Sequence, residues 1–127
     1  MYFTFNNANS RDFNIKIKKS NHLSIPRKKL EFIEVQGKTD NLIIDEGARE
    51  MLDLEVEAYI DCRDLDTKTY ALRLDNWLNN TNGYANLIFN DNTTLKAIFV
   101  GQIDFNSITK NFEEILLQFK AYRESDL

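Results

Sequence analysis

The 127-residue sequence has few of the residues that build common active sites and cross-links. It contains one cysteine, one histidine and one tryptophan. The single cysteine, Cys62, cannot form an internal disulfide, which is consistent with a reducing compartment. The single histidine, His22, excludes a histidine-based metal cluster and leaves one candidate imidazole base. Because His22 lies in a polar stretch, we expect an idle surface imidazole.

Proline and long apolar runs are also scarce. One proline and four glycines leave no visible linker or low-complexity segment. No apolar run approaches the roughly 20 residues that cross a bilayer, and the first residues do not resemble a signal peptide. The composition, 43% hydrophobic and 28% charged, is ordinary for a globular protein. We therefore expect a single domain over residues 1–127, with no membrane partner.

Motifs of catalysis are missing as well. The sequence has no phosphate-binding loop, no dinucleotide fingerprint and no nucleophile elbow. Asp61, Asp64 and Asp66 lack the glycine and terminal glutamate of a calcium loop, and helix capping explains them better. The sequence has no second histidine that could form a catalytic Cys–His pair with Cys62, so we interpret Cys62 as a structural thiol. We expect no enzymatic activity, no metal and no cofactor.

Strict alternation of apolar and polar residues marks two strands, residues 13–18 and 51–61. The second carries Asp53, Glu55 and Glu57 on one face, and the first carries lysines. If the two strands are adjacent, opposite charges support their pairing.

A period of three to four residues follows and predicts one helix, over about residues 65–80. Asp64 or Asp66 is its candidate N-cap, and Trp77 is expected in the core. Further strands are predicted over residues 2–5, 84–90, 94–105 (with Gly101 as a possible bulge) and 113–123. The order indicates an α+β domain, a mostly antiparallel β-sandwich with one flanking helix.

A hairpin is predicted over about residues 32–47. Two short apolar pieces, 32–35 and 42–44, flank a polar segment with Gly37, Asp40 and Asn41, which tolerate positive φ. A second break is expected at residues 45–47. The segment is too long for a minimal turn, so we expect it to protrude, and either to pack on its own domain or to reach a neighbour.

Charge is unevenly distributed along the chain. The net charge is −4, but residues 11–29 carry +6 and the remainder −10. This segment could bind nucleic acid or acidic lipid, meet an acidic face of another copy, or only form the wet face of a strand. Its basic residues are Arg11, Lys16, Lys18, Lys19, Arg27, Lys28 and Lys29.

The order of these motifs resembles the N-terminal domain of phage distal tail (Dit) proteins over nearly the whole chain. The resemblance continues through the strand at 52–61 and the helix that ends at Trp77 and Leu78, followed by Tyr84. The earlier matching pieces are Phe3-Thr4-Phe5-Asn6-Asn7, Ser10-Arg11-Asp12-Phe13-Asn14-Ile15, Pro26-Arg27-Lys28 and Val35-Gln36-Gly37-Lys38-Thr39-Asp40-Asn41-Leu42.

The resemblance implies a virion component without enzymatic activity. Such proteins form hexameric rings that join the tail tube to the baseplate or tail-tip hub, through a β-sandwich with a flanking helix and a protruding hairpin. The implied partners are further copies of the chain, the tail tube protein and the hub, with DNA only as passing cargo. Many members carry a second, often carbohydrate-binding, domain, for which 127 residues leave no room. A phage tail and a phage-tail-like bacteriocin remain alternatives.

In such a ring, edge strands and the hairpin are expected to supply subunit contacts. Its acids, Glu34, Asp45 and Glu46, could face the basic segment within one subunit or across two. Two alternatives are a polyanion binder that uses residues 11–29, and a small carbohydrate-binding β-sandwich, which requires an exposed Trp77. The candidate interface residues are Val35, Lys38, Asp40, Leu42, Ile43, Asp45 and Glu46.

Overall fold

The computed structural model describes residues 1–64, 66–109 and 111–123. In these ranges the chain forms ten β-strands, one α-helix and a short 3-10 helix over Ser10–Phe13. The strands are β1 (Phe3–Phe5), β2 (Ala8–Asn9), β3 (Ile15–Ser20), β4 (Lys28–Ile33), β5 (Leu42–Arg49), β6 (Leu52–Asp61), β7 (Ala85–Phe89), β8 (Thr94–Val100), β9 (Asn106–Thr109) and β10 (Phe112–Tyr122); the helix is α1 (Thr67–Leu78).

Eight strands form one antiparallel sheet in the order β2-β1-β7-β8-β10-β6-β3, with β9 also paired to β10. Within this sheet, β6 and β10 pair from Leu52 opposite Ala121 to Asp61 opposite Phe112. Both strands alternate buried apolar side chains with more exposed ones, as the sequence pattern predicts. The lysine-bearing strand β3 lies antiparallel beside the acidic strand β6, which is the arrangement in which opposite charges support the pairing.

The sheet curves strongly enough to enclose its own core. Phe3 and Phe5 of β1 lie 6.3 and 5.2 Å from Phe119 of β10, measured between ring centroids. In a flat sheet, three strand spacings of about 4.8 Å would separate β1 from β10. The sheet therefore folds over and packs one part against another. This confirms the α+β class and the mostly antiparallel sandwich.

The flanking helix α1 is slightly shorter than the predicted 65–80. Asp66 is its N-cap and accepts a 2.8 Å hydrogen bond from the Thr69 N–H. Tyr70, Leu74 and Trp77 are buried on its inner face, as the three- and four-residue spacing predicts. In the described part of the chain, no helix is long and apolar enough to cross a membrane.

One predicted strand ends early. The pattern over residues 94–105 predicts a single strand, but β8 stops at Val100 and β9 begins at Asn106. Gly101 lies between them with φ of +92°, a backbone angle that L side chains rarely adopt. The glycine therefore ends β8 and is not a bulge within a longer strand.

Candidate assembly surface

The predicted hairpin is present and forms a sheet of its own. Strands β4 and β5 pair with each other, and no strand of the eight-stranded sheet in the described residues pairs with either. The hairpin extends beyond the predicted 32–47, from Lys28 to Arg49, around the loop of residues 34–41. The expected break at residues 45–47 does not end β5. It is a bulge, in which Gly47 has φ of +74°.

Both faces of the hairpin carry large apolar side chains. Phe32 lies opposite Ile43, and Ile33 lies opposite Leu42. Directly opposite residues share a face and successive residues alternate between faces, so these two pairs lie on opposite sides. The exposed fractions are 59% for Phe32, 58% for Ile43 and 53% for Leu42. The exposed apolar side chains of the hairpin are Leu30, Phe32, Ile33, Leu42, Ile43 and Ile44.

This exposure is unfavourable for a hairpin alone in water. Full burial of one such side chain stabilises a protein by about 1.5–3 kcal/mol. An isolated two-stranded hairpin is only marginally stable, and a contiguous exposed apolar patch usually marks an interaction site. The hairpin can obtain this stabilisation only if another surface covers it.

Four of the seven predicted interface residues lie on strand β5. Leu42 and Ile43 lie on opposite faces of β5, and Glu46 is exposed. Asp45 is also exposed, and its Oδ1 accepts a 2.9 Å hydrogen bond from the Gly47 N–H, which holds the bulge. Asp45 therefore has a local role besides any intermolecular one.

The other three predicted interface residues lie in the loop. Val35 is half-buried, and its carbonyl accepts a 3.2 Å hydrogen bond from the Lys38 N–H. Lys38 and Asp40 are exposed. All seven candidates thus belong to one hairpin, at its loop or on β5.

The sequence-based prediction omitted part of the same surface. It did not include Leu30, Phe32, Ile33 and Ile44, which share the exposed faces. Apolar runs on both sides of the turn were the available signal, because such runs place apolar side chains on both faces of a strand. The hairpin is preceded by a loop with two more exposed apolar side chains, Leu23 and Ile25.

The basic segment is divided between different elements. Lys16, Lys18 and Lys19 lie on β3, where Lys19 is opposite Glu57 and the Lys18 Nζ is 3.8 Å from a Glu114 carboxylate oxygen. These lysines therefore lie beside acidic residues of the sheet, which fits the alternative that they only form the solvent-exposed face of a strand.

The other basic residues lie elsewhere. Arg27, Lys28 and Lys29 line an open cavity of about 770 Å³ at the base of the hairpin, together with Glu46 and other residues. The Arg11 guanidinium lies 3.7 Å from the centroid of the Tyr2 ring. Carboxylates lie beside the lysines of β3 and also line the cavity at the base of the hairpin, so the arrangement does not favour one continuous phosphate-binding strip.

The expectation for His22 is wrong. The residue is only 5% exposed and stacks on Phe89 at 3.9 Å between ring centroids. Its Nδ1 lies 2.9 Å from the Ser20 Oγ, and its Nε2 lies 2.7 Å from the Asp91 Oδ2. The hydrogen bond from His22 lowers the pKa of Asp91 to about 2, helped by bonds from Thr93. His22 therefore ties the loop after β3 to the turn between β7 and β8.

The three clustered aspartates have separate partners. Asp61 pairs with the Arg63 guanidinium, at 2.7 Å for the shortest contact, and this hydrogen bonding lowers the pKa of Asp61. Asp64 accepts a hydrogen bond from the Tyr70 hydroxyl, which lowers the pKa of Asp64, and Asp66 caps α1. Among the described residues, no group of three or more His, Cys, Asp or Glu is arranged to hold a metal ion.

Trp77 is buried, as predicted, and Cys62 is buried as well. Trp77 is 6% exposed, stacks on Phe13 at 4.3 Å, and donates a 2.8 Å hydrogen bond from Nε1 to the Phe5 carbonyl. The exposed tryptophan that the carbohydrate-binding alternative requires is therefore absent at this position. Burial raises the pKa of the Cys62 thiol, which fits a structural role.

The fold resembles that of a phage protein of known structure. No family model matches the sequence, and no curated protein matches it. Among solved structures, the crystal structure of SPP1 Dit, described as a paradigm of the hub adsorption apparatus in phages that infect Gram-positive bacteria, matches with a TM-score of 0.77 and 14% sequence identity. The chain is similar to Dit in fold. The match covers 97% of this chain and 49% of the SPP1 Dit chain, so the chain spans about half the length of that structure.

Proposed function

We propose that the protein is a non-enzymatic structural component of a phage tail, which forms a ring of six copies between the tail tube and the tail-tip hub. The virion tail is then its place of action, and its partners are other copies of itself, the tube protein and the hub. A Dit-like fold over 97% of the chain supports the tail role. The proposal that copies assemble into a ring is supported mainly by the hairpin, which has two exposed apolar faces.

A ring requires a contact between two different surfaces of the subunit. A head-to-tail contact that repeats by rotation closes into a ring, whereas a self-complementary contact stops at a dimer. The hairpin is a suitable donor because it is a sheet separate from the main one, with its own hydrogen bonds already formed and its apolar side chains exposed. Residues 1–127 would then be one ring-forming domain.

The proposal is tested by particle mass and shape. The wild-type chain is examined by light scattering at rising concentration and by negative-stain electron microscopy, beside the double variant Leu42→Asp/Ile43→Asp. We expect wild-type particles of six times the 14.9 kDa chain mass and a folded monomer for the variant. The matched control is Leu72→Asp, because Leu72 is 59% exposed and lies on α1, which is not part of the hairpin.

Two outcomes contradict the proposal. One is a wild-type protein that stays monomeric at high concentration and shows no rings. The other is global unfolding of the double variant by circular dichroism, because that result places the hairpin in the core of its own subunit.

A further inference from the structure

The turn between α1 and β7 contains the one Asn-Gly pair of the sequence. Asn82 precedes Gly83 there, whereas each of the other asparagines precedes a residue with a side chain. Both residues are exposed, and they lie between the end of α1 at Leu78 and the start of β7 at Ala85. The pair therefore lies on the surface in a connecting segment, where packing restricts the backbone least.

The backbone of this pair has room to change its conformation. Gly83 has φ of +88°, and a side chain at this position would meet no atom within 4 Å. Among the described residues, no hydrogen bond involves Asn82 or Gly83. Glycine also samples more backbone conformations than any other residue. The Gly83 nitrogen can therefore approach the side-chain amide of Asn82.

Two other asparagines show the opposite situation. The Asn9 Oδ1 accepts a 2.9 Å hydrogen bond from the Arg11 N–H, and the following residue, Ser10, is fully buried. The Asn79 Nδ2 donates a 2.8 Å hydrogen bond to the Asp75 Oδ1. Such bonds hold a side-chain amide away from the next backbone nitrogen. The Asn-Gly turn is the place where the sequence and the surroundings both allow the two groups to meet.

We propose that Asn82 is a site of spontaneous deamidation through a cyclic imide. The Gly83 nitrogen loses its proton to hydroxide and attacks the Asn82 Cγ. The new N–Cγ bond replaces the Cγ–Nδ2 bond, and the leaving nitrogen takes up a proton from water and departs as ammonia. Water then opens the imide at either carbonyl, which gives aspartate or isoaspartate at position 82. The net reaction consumes water, releases ammonia and requires no oxidant, and it uses the thermal lability of asparagine.

The product changes the charge of the chain and leaves its core in place. The formal net charge goes from −4 to −5. The last turn of α1, which precedes the Asn-Gly turn, contains no basic residue that would neutralise the new carboxylate. Buried Trp77 and Leu78 anchor the chain before the turn, and buried Leu87 anchors it after the turn. We therefore expect the deamidated chain to remain folded, with the melting temperature of the fresh protein.

The test follows residue 82 in the intact folded chain. Purified wild type is incubated at physiological temperature in heavy-oxygen water and analysed by ion exchange and peptide mass spectrometry. We expect a growing acidic fraction in which residue 82 carries solvent oxygen, with isoaspartate detected by an isoaspartate-specific methyltransferase. The fraction should grow faster in mildly alkaline than in mildly acidic buffer, because the attacking nitrogen must lose its proton.

Two variants locate the reaction. Asn82→Gln should remove the acidic fraction, because the longer side chain closes the larger ring much more slowly. The matched control is Asn41→Gln, since Asn41 is also exposed in a turn but precedes Leu42, and it should deamidate at position 82 as the wild type does. Circular dichroism verifies that both variants are folded.

Three results overturn the proposal. One is an intact Asn82 after a period in which a free peptide of residues 78–87 has deamidated, since the fold then protects the pair. The second is aspartate without isoaspartate, which indicates direct hydrolysis and no imide. The third is an acidic fraction that persists in Asn82→Gln, because another residue is then its source. None of these readouts depends on assembly, so the proposed function and this inference can fail separately.

Discussion

Phe32 and Ile43 lie directly opposite each other across the hairpin, and both are more than half exposed. A cross-strand pair of this kind normally contributes to a buried sheet face. The next pair, Ile33 and Leu42, exposes apolar surface on the other side. The hairpin therefore has large apolar side chains on both faces, as a strand pair inside a core does, but both faces are exposed in the single subunit.

Truncation of Ile43 should affect assembly far more than the stability of the subunit. In urea unfolding at concentrations where the protein is monomeric, we expect Ile43→Ala to change the free energy of unfolding by less than about 0.5 kcal/mol, as exposed substitutions do. Leu117→Ala, in the fully buried part of β10, should cost about 2–5 kcal/mol. Equal costs for the two variants would contradict the placement of Ile43 outside the core.

Trp77 should report a closed core. Its fluorescence should be shielded from aqueous quenchers and unchanged by added glycans, because the ring is stacked on Phe13. Trp77→Phe removes the hydrogen bond to the buried carbonyl of Phe5 and should destabilise the protein by about 1–3 kcal/mol in urea unfolding. A quenchable, glycan-sensitive tryptophan would instead support a carbohydrate-binding protein.

Asp91 should make the stability of the protein depend on acid pH. Its pKa falls from 3.8 to about 2 in the folded state, because His22 donates to the carboxylate. A lowered folded-state pKa gives stability that is complete above about 3.8 and lost as the pH falls toward 2. We therefore expect wild type to exceed Asp91→Asn in melting temperature at pH 6, with the difference shrinking across that window.

The control for Asp91 is Asp40→Asn, because Asp40 lies in the exposed loop of the hairpin. Its melting temperature should follow that of the wild type throughout the same pH range. A constant difference in melting temperature between wild type and Asp91→Asn from pH 6 to pH 2 would show that the stabilising contact between His22 and Asp91 does not depend on the ionised carboxylate.

Asp66 should stabilise α1 through its cap. Asp66→Ala should lower the free energy of unfolding by about 0.5–2 kcal/mol, because the Thr69 N–H loses its acceptor. Asp66→Asn retains a side-chain acceptor and should cost less. Denaturant unfolding measures both, and an Asp66→Ala variant as stable as the wild type would contradict the assignment of the cap.

Local periodicity was sufficient to predict the main elements. Alternation identified β3 and β6, and the three- to four-residue spacing around Leu74 and Trp77 identified α1, because each pattern repeats within one element. The turn residues at Gly37 and Asn41 located the hairpin. The resemblance to Dit proteins is confirmed for the fold.

Contacts between distant segments were not predictable in the same way. His22 is buried because its loop meets Asp91, which lies 69 positions away in the sequence. No local pattern encodes that contact, so a polar loop predicted an exposed ring. Gly101 gave a signal for a backbone irregularity, but the sequence did not distinguish a bulge from the end of β8. The two-faced hairpin surface depends on strand register, which follows from the pairing of Phe32 with Ile43.

The most direct test of the account is the mass of the wild-type particle in solution, measured by light scattering beside Leu42→Asp/Ile43→Asp. We expect a closed particle of six times 14.9 kDa for the wild type and a folded monomer for the variant. A wild type that remains a monomer at every concentration, with the same mass as the variant, would contradict it.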